Sequence, residues 1–163
     1  MTSRRHAIAL ALAASALLMP FAAGGQGAPP VPSAYRPGLG DLMTMTVQPR
    51  RLKVGLAGQE RNWDYLAYEL HELEEALERV AKLVPKWREI DIAGLIVGST
   101  KEPIEALEEA AKKRDAASFN EAYARLTAAC NACHQSAKVG MIAIQVPRGS
   151  SPFTNQDFRP AKP

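Results

Sequence analysis

FNEAYARLTAACNACH, residues 119–134, decides how this chain is read. Phe119, Tyr123, Leu126, Cys130 and Cys133 recur at spacings of four, three, four and three. Those intervals put side chains on one face of an α-helix, so both cysteines of the chain share a stripe with core residues. His134 stands four residues after Cys130, and its ring projects from nearly the same face. Asp115 or Ser118 is placed to cap this helix, and Ser118 with Glu121 has capping-box spacing.

The last five residues, Cys130-Asn131-Ala132-Cys133-His134, have the C-x-x-C-H spacing of covalent haem attachment. In that chemistry the two thiols add to the two vinyl groups of one haem and the adjacent imidazole binds its iron. The pattern assigns Cys130 and Cys133 as thioether anchors of one haem c and His134 as the proximal iron ligand. Zinc would want four ligands, and beyond this motif the chain offers only His71 and a histidine in the leader. A thioredoxin-like dithiol would open a helix in a β/α fold, whereas this pair lies late in a helix of a chain with no strand alternation.

The N-terminus gives the motif a compartment. Arg4, Arg5 and His6 precede an apolar run from Ala7 to Ala23, with small residues at Ala22 to Gly25 where a signal peptidase would cut. Pro20 interrupts the run and no stop-transfer charges follow, so residues 1–25 read as a cleaved signal and the expected location is the periplasm. The whole chain carries 20 Lys and Arg against 17 Asp and Glu. Loss of the leader removes Arg4 and Arg5, leaving 18 against 17 and a net charge of +1. That is no nucleic-acid footprint. Residues 26–37 are a Pro-rich lead-in, 38–140 are expected to form one helical domain, and 141–163 an irregular tail.

The expected class is all-α with four helices. The first is predicted from Leu39 to Ala57, stopped by Gly58 and kinked or broken at Pro49. Asn62 caps the second, whose Leu66, Leu70, Leu73, Leu77 and Val80 form a regular stripe up to Pro85. Residues 86–102 read as a long connection because glycines interrupt their apolar residues. A short third helix is predicted to open near Pro103, with Ile104, Leu107 and Ala110 inward.

A C-x-x-C-H motif near the end of the last helix resembles the cytochrome c-prime (class II) monohaem group, and CNACH on the fourth helix is the most specific part of the resemblance. The tail segment SPFTNQDFRP (151–160), together with NWDYLAYELHELEEAL (62–77) and AYARLTAACNACH (122–134), resembles a little-described branch of small bacterial monohaem cytochromes. The resemblance covers roughly residues 39–138 and implies an antiparallel four-helix bundle. It also implies a role in haem binding for Lys138, a basic residue four after His134, although the aromatic usual before it is Ala137 here. In an up-down-up-down bundle the first helix begins where the fourth ends, which brings residues near Leu42 toward the haem. Low-spin members take a methionine from this helix, so Met43 is the proposed distal iron ligand and Met45 the alternate. The two point about 160° apart on an α-helix, so only one can face the iron.

The function this implies is single-electron transfer by a non-enzymatic periplasmic cytochrome, with redox proteins as donors and acceptors. The alternative is a five-coordinate haem protein that binds NO or CO. A homodimer stays open, and no integral membrane segment is expected once the leader is removed. His71 falls on the polar side of the second helix, Lys53 reads as a snorkelling surface lysine, and Met141 would need a tight reversal to reach the iron. Trp63 and Trp87 read as core or interface aromatics. Seven carboxylates in residues 60–78 read as a solvated face. No Ser/His/Asp set, phosphate loop or catalytic carboxylate pair suggests hydrolytic or transferase chemistry.

Overall fold

The Asp41 carboxylate accepts the Gly38 N–H at 3.2 Å and the Tyr35 hydroxyl at 3.1 Å, and this small cap starts the helical region. The structure is a computed structural model and describes residues 35–148 and 151–161. The expected signal segment 1–25, its expected cleavage site and most of the lead-in lie outside the described residues.

Three helical stretches follow without interruption: α1 (Leu39–Leu42), a π-helical turn (Met43–Val47) and α2 (Gln48–Gln59). Pro49 explains the π turn. It has no N–H to donate, and its ring would crowd the carbonyl four residues back. Lengthening the preceding turn, with the Gln48 N–H bonded to the Met43 carbonyl, leaves Pro49 in the first turn of α2. A missing N–H costs least there. Of the kink or break expected at Pro49, the break does not occur: Val47 and Gln48 both keep helical backbone angles, and the π turn before Pro49 is the local departure from α-helix.

α3 (Trp63–Leu83) starts as its sequence predicts, with Asn62 accepting the Tyr65 N–H at 3.3 Å. Its buried stripe is Leu66, Leu70, Leu73, Leu77 and Val80. β1 (Lys86–Trp87) and β2 (Ile90–Asp91) then form a minimal antiparallel hairpin, with Arg88 in the turn at φ 55°. Two-residue strands are too short to leave an alternation in the sequence.

α4 (Ile92–Lys113) overturns two expectations. The stretch after residue 86 is no long connection, and the third helix opens at Ile92 instead of near Pro103. Asp91 caps it by accepting the Gly94 N–H at 3.0 Å, and Ile92, Ile96, Thr100, Ile104, Leu107 and Ala111 are buried along one face. Pro103 therefore sits inside the helix. One turn earlier, the Ser99 and Thr100 hydroxyls donate to the Leu95 and Ile96 carbonyls, the local back-bonding that often accompanies a bend in a helix.

α5 (Ala116–Ser136) follows after Arg114 ends α4 in the left-handed region at φ 54°. Its cap is Asp115, whose carboxylate accepts the N–H groups of Ala117 (2.9 Å) and Ser118 (3.3 Å). Ser118 donates its own hydroxyl to Asp115 at 2.6 Å, so the Ser118–Glu121 capping box does not form.

Packing joins α4 to α5 and α3, and α2 to α3. The α2–α5 contact depends on two glycines. A Cβ on Gly55 would lie 2.5 Å from the Tyr123 hydroxyl oxygen, and one on Gly58 would fall inside the Phe119 ring. These glycines let a stacked Phe119–Tyr123 pair, 5.6 Å between centroids, lie directly on the α2 backbone. Gly58 is thus a close-approach residue within α2, where the sequence suggested a helix stop.

Among its described residues the tail after α5 has no helix or strand, yet it is laced to the helices. Gln59 donates to the Pro147 carbonyl, and Asn62 to the carbonyls of Phe158 and Arg159. Gln156 donates to the Tyr65 hydroxyl at 2.6 Å, and Phe158 is buried against Tyr65 and Phe153. No helix among the described residues is long and apolar enough to cross a membrane.

Candidate functional site

The last two turns of α5 carry Cys130, Cys133 and His134, and the helix closes immediately after them. Ala137 is the C-cap and Lys138 takes the left-handed conformation at φ 62°. The Val139 N–H bonds the His134 carbonyl at 2.9 Å and the Lys138 N–H bonds the Gln135 carbonyl at 3.0 Å. This is a Schellman closure, which turns the chain back along the helix it has just left.

That reversal brings the tail onto the motif. The Ile142 carbonyl lies 2.7 Å from His134 Nδ1. A carbonyl only accepts, so Nδ1 is the donor, and in the neutral ring Nε2 carries the lone pair. A backbone acceptor on one ring nitrogen is how proteins commonly fix the tautomer of a metal-binding histidine. Asn131, between the two cysteines, holds the next tail residue in both directions: its amide donates to the Ile144 carbonyl at 2.9 Å and its carbonyl accepts the Ile144 N–H at 2.7 Å.

Both cysteines are free and half-buried. Burial pushes both thiols up from their ordinary range, opposed at Cys130 by the neighbouring Arg51 guanidinium and at Cys133 by the Ser99 hydroxyl. Redox and zinc cysteines are driven the opposite way, toward thiolate. Among the described residues, no three His, Cys, Asp or Glu side chains converge as a set for a metal ion, and the trio of the motif does not either. Two unpaired thiols and one imidazole grouped at the end of α5 fit covalent haem, in which sulfur bonds carbon and only the imidazole meets iron.

Arg51, on α2, reaches the same face of α5 and is 8 % exposed. Its Nη2 donates to Thr127 Oγ1 at 2.6 Å and to the Gln145 carbonyl at 3.1 Å, and its Cζ lies 5.0 Å from the centre of the Tyr123 ring. Tyr123 in turn donates to the Arg51 carbonyl at 2.9 Å.

The remaining candidates fall in different surroundings. Met43 is half-buried and packs against the core, whereas Met45 is 74 % exposed. Met43 makes no hydrogen bond with the motif among the described residues. Lys138 is exposed, and its clearest role is its left-handed place in the helix closure. His71 is exposed and lies 3.5 Å from Glu75 on its own helix, away from the motif's contacts. Lys53 is not the free surface lysine its sequence suggests: it lies 3.7 Å from buried Glu69 and over the Phe153 ring. Met141 is exposed, and Trp63 and Trp87 are partly buried against the core.

Sequence reasoning missed the Ile142 carbonyl, the Asn131 clamp and Arg51. The first had no signal, because every residue has a carbonyl. Arg51 had one: it lies on the stripe that runs from Val47 of the π turn through Arg51, Val54 and Gly58 of α2, where a charge at a core position calls for explanation. The chain matches no family model, no curated protein and no solved structure.

Proposed function

We propose that this protein is a monohaem c-type cytochrome of the c-prime-like kind, exported to the periplasm, that carries single electrons between redox proteins. The observation that carries the reading is the state of the motif: CNACH at the end of α5 with His134 Nδ1 engaged by the Ile142 carbonyl and Nε2 left free. The packing is compatible with the antiparallel four-helix bundle of that group. Gly58 meets Phe119, Gly55 meets Tyr123 and Arg51 meets Thr127, a sequence of contacts that runs in opposite directions along α2 and α5.

Cys130 and Cys133 would hold the haem through thioethers and His134 would be the proximal ligand. When bound, haem supplies an iron that gains and loses one electron. The tail holds the His134 ring in one orientation, and the buried, stacked Phe119–Tyr123 pair of α5 packs the core on the same helix as the site. Met43 is the proposed distal ligand, supported by its half-buried place on the core side of the π turn, and exposed Met45 is the weaker alternate. A thioether on iron favours Fe(II) and raises the potential.

Absorption spectra of the oxidised and reduced holoprotein test this. A low-spin oxidised form with a sulfur-to-iron charge-transfer band and slow CO binding is expected. Met43→Ala should become high-spin and CO-reactive, and Met45→Ala should not. High-spin wild-type protein that binds CO or NO rapidly would move the assignment to a gas-binding haem protein.

A further inference from the structure

Arg51 has no ion-pair partner among the described residues. The neighbouring cations of α2 are provided for: Arg50 lies 3.2 Å from Glu69 and 2.9 Å from Glu72, and Lys53 lies 3.7 Å from Glu69. Arg51, more deeply buried than either, is surrounded by a hydroxyl, a carbonyl and an aromatic face, and its Nε is buried with no partner at all. Burial of a charge without a counter-charge is costly, and proteins seldom keep one where an apolar side chain would serve.

Its place against α5 indicates what the charge acts upon. Tyr123, Thr127 and Cys130 follow one another on a single helix face at intervals of four and three, and Arg51 touches the first two. The guanidinium therefore stands beside the anchor of the first thioether.

We propose that Arg51 is a potential-setting residue: its buried, carboxylate-free guanidinium beside the Cys130 face of α5 disfavours the extra positive charge of Fe(III) and so holds the reduction potential up. This rests on the cytochrome reading above. The process it acts on is transfer of one electron from a partner protein to iron, with no bond made or broken at Arg51. Two charges roughly 10 Å apart in an effective dielectric of about 20 change an equilibrium by about tenfold.

The test is redox titration of the exported holoprotein, each variant first checked for covalent haem by mass. Arg51→Met, similar in length and uncharged, should shift the reduction equilibrium about tenfold toward the oxidised form, or about 59 mV for a one-electron couple. Arg51→Lys, which keeps the charge, should move it less than threefold. Thr127→Val, which loses the hydrogen bond and leaves the charge, should do the same. Thr127→Asp gives the guanidinium a carboxylate and should lower the potential as Arg51→Met does, so it decides the matter if Arg51→Met does not accumulate folded. A haem-loaded Arg51→Met, or in its place Thr127→Asp, with a reduction equilibrium within twofold of wild type would overturn the proposal. Equal shifts in Arg51→Met and Thr127→Val would overturn it as well, by reducing Arg51 to a packing role. Wild-type protein without covalent haem would instead sink the cytochrome reading on which the proposal stands.

Discussion

Gly58→Ala should destabilise the protein by about 2 kcal/mol, although the same change in an open helix would stabilise it. The added methyl would enter the Phe119 ring. That ring cannot swing aside easily, because it stacks on Tyr123, which is itself pinned over Gly55 and bonded to the Arg51 carbonyl. Overpacking a well-filled core costs up to about 3 kcal/mol, and the helix preference of Ala over Gly returns about 1. A net loss of about 2 kcal/mol corresponds to a fall in Tm of about 8 °C for a domain of this size. Helix circular dichroism on thermal unfolding measures it, with wild type and variant compared in the same haem-loaded state. Phe119→Leu in the Gly58→Ala background should relieve the clash and show a coupling of about 1 kcal/mol in the double-mutant cycle. A Gly58→Ala protein as stable as wild type, or the absence of coupling to Phe119, would refute the close-packing account and restore Gly58 to a helix-stop role.

His134→Ala should alter the haem spectrum severely even with both thioethers formed, whereas His71→Ala, on an exposed ring paired only with Glu75, should leave it unchanged; a large effect at His71 would favour bis-histidine ligation. In alkaline titration followed at the tyrosinate band, Tyr123 and Tyr65 should ionise last, since burial pushes both from an ordinary 10 to about 12, with the Glu69 hydrogen bond adding to it at Tyr65. The folded state thus holds these protons longer than the unfolded chain does. Their contribution to stability is complete below pH 10 and is lost as pH rises toward 12, on the order of 2 kcal/mol from buried Tyr123. Four tyrosines titrating together near 10 in the folded protein would contradict the burial described for these two.

What the sequence made legible was what repeats along one element. The α3 stripe and its Asn62 cap are read from residues three and four apart, and the CNACH motif lies within little more than one turn of α5. The start of α4 was obscured by Pro103, which reads as a first-turn proline yet lies inside a helix held by Ile96, Ile104 and Leu107. Gly58 reads as punctuation because its true constraint, the Phe119 ring, comes from a residue far along the chain. The tail leaves no period to read: its fixation depends on carbonyls of Ile142, Gln145 and Pro147 meeting side chains of α2 and α5. For the site, the three motif residues were legible and their setting was not. The tautomer of His134 and the unpaired charge of Arg51 exist only once the chain has turned back on itself.

The central claim is that Cys130 and Cys133 carry haem covalently, and intact mass measurement after acid-acetone extraction tests it most directly. Protein from a host with haem c maturation should retain its colour through extraction and weigh one haem more than its polypeptide, and Cys130→Ala/Cys133→Ala protein should lose both properties. Wild-type protein with the bare polypeptide mass and fully extractable colour would contradict the account.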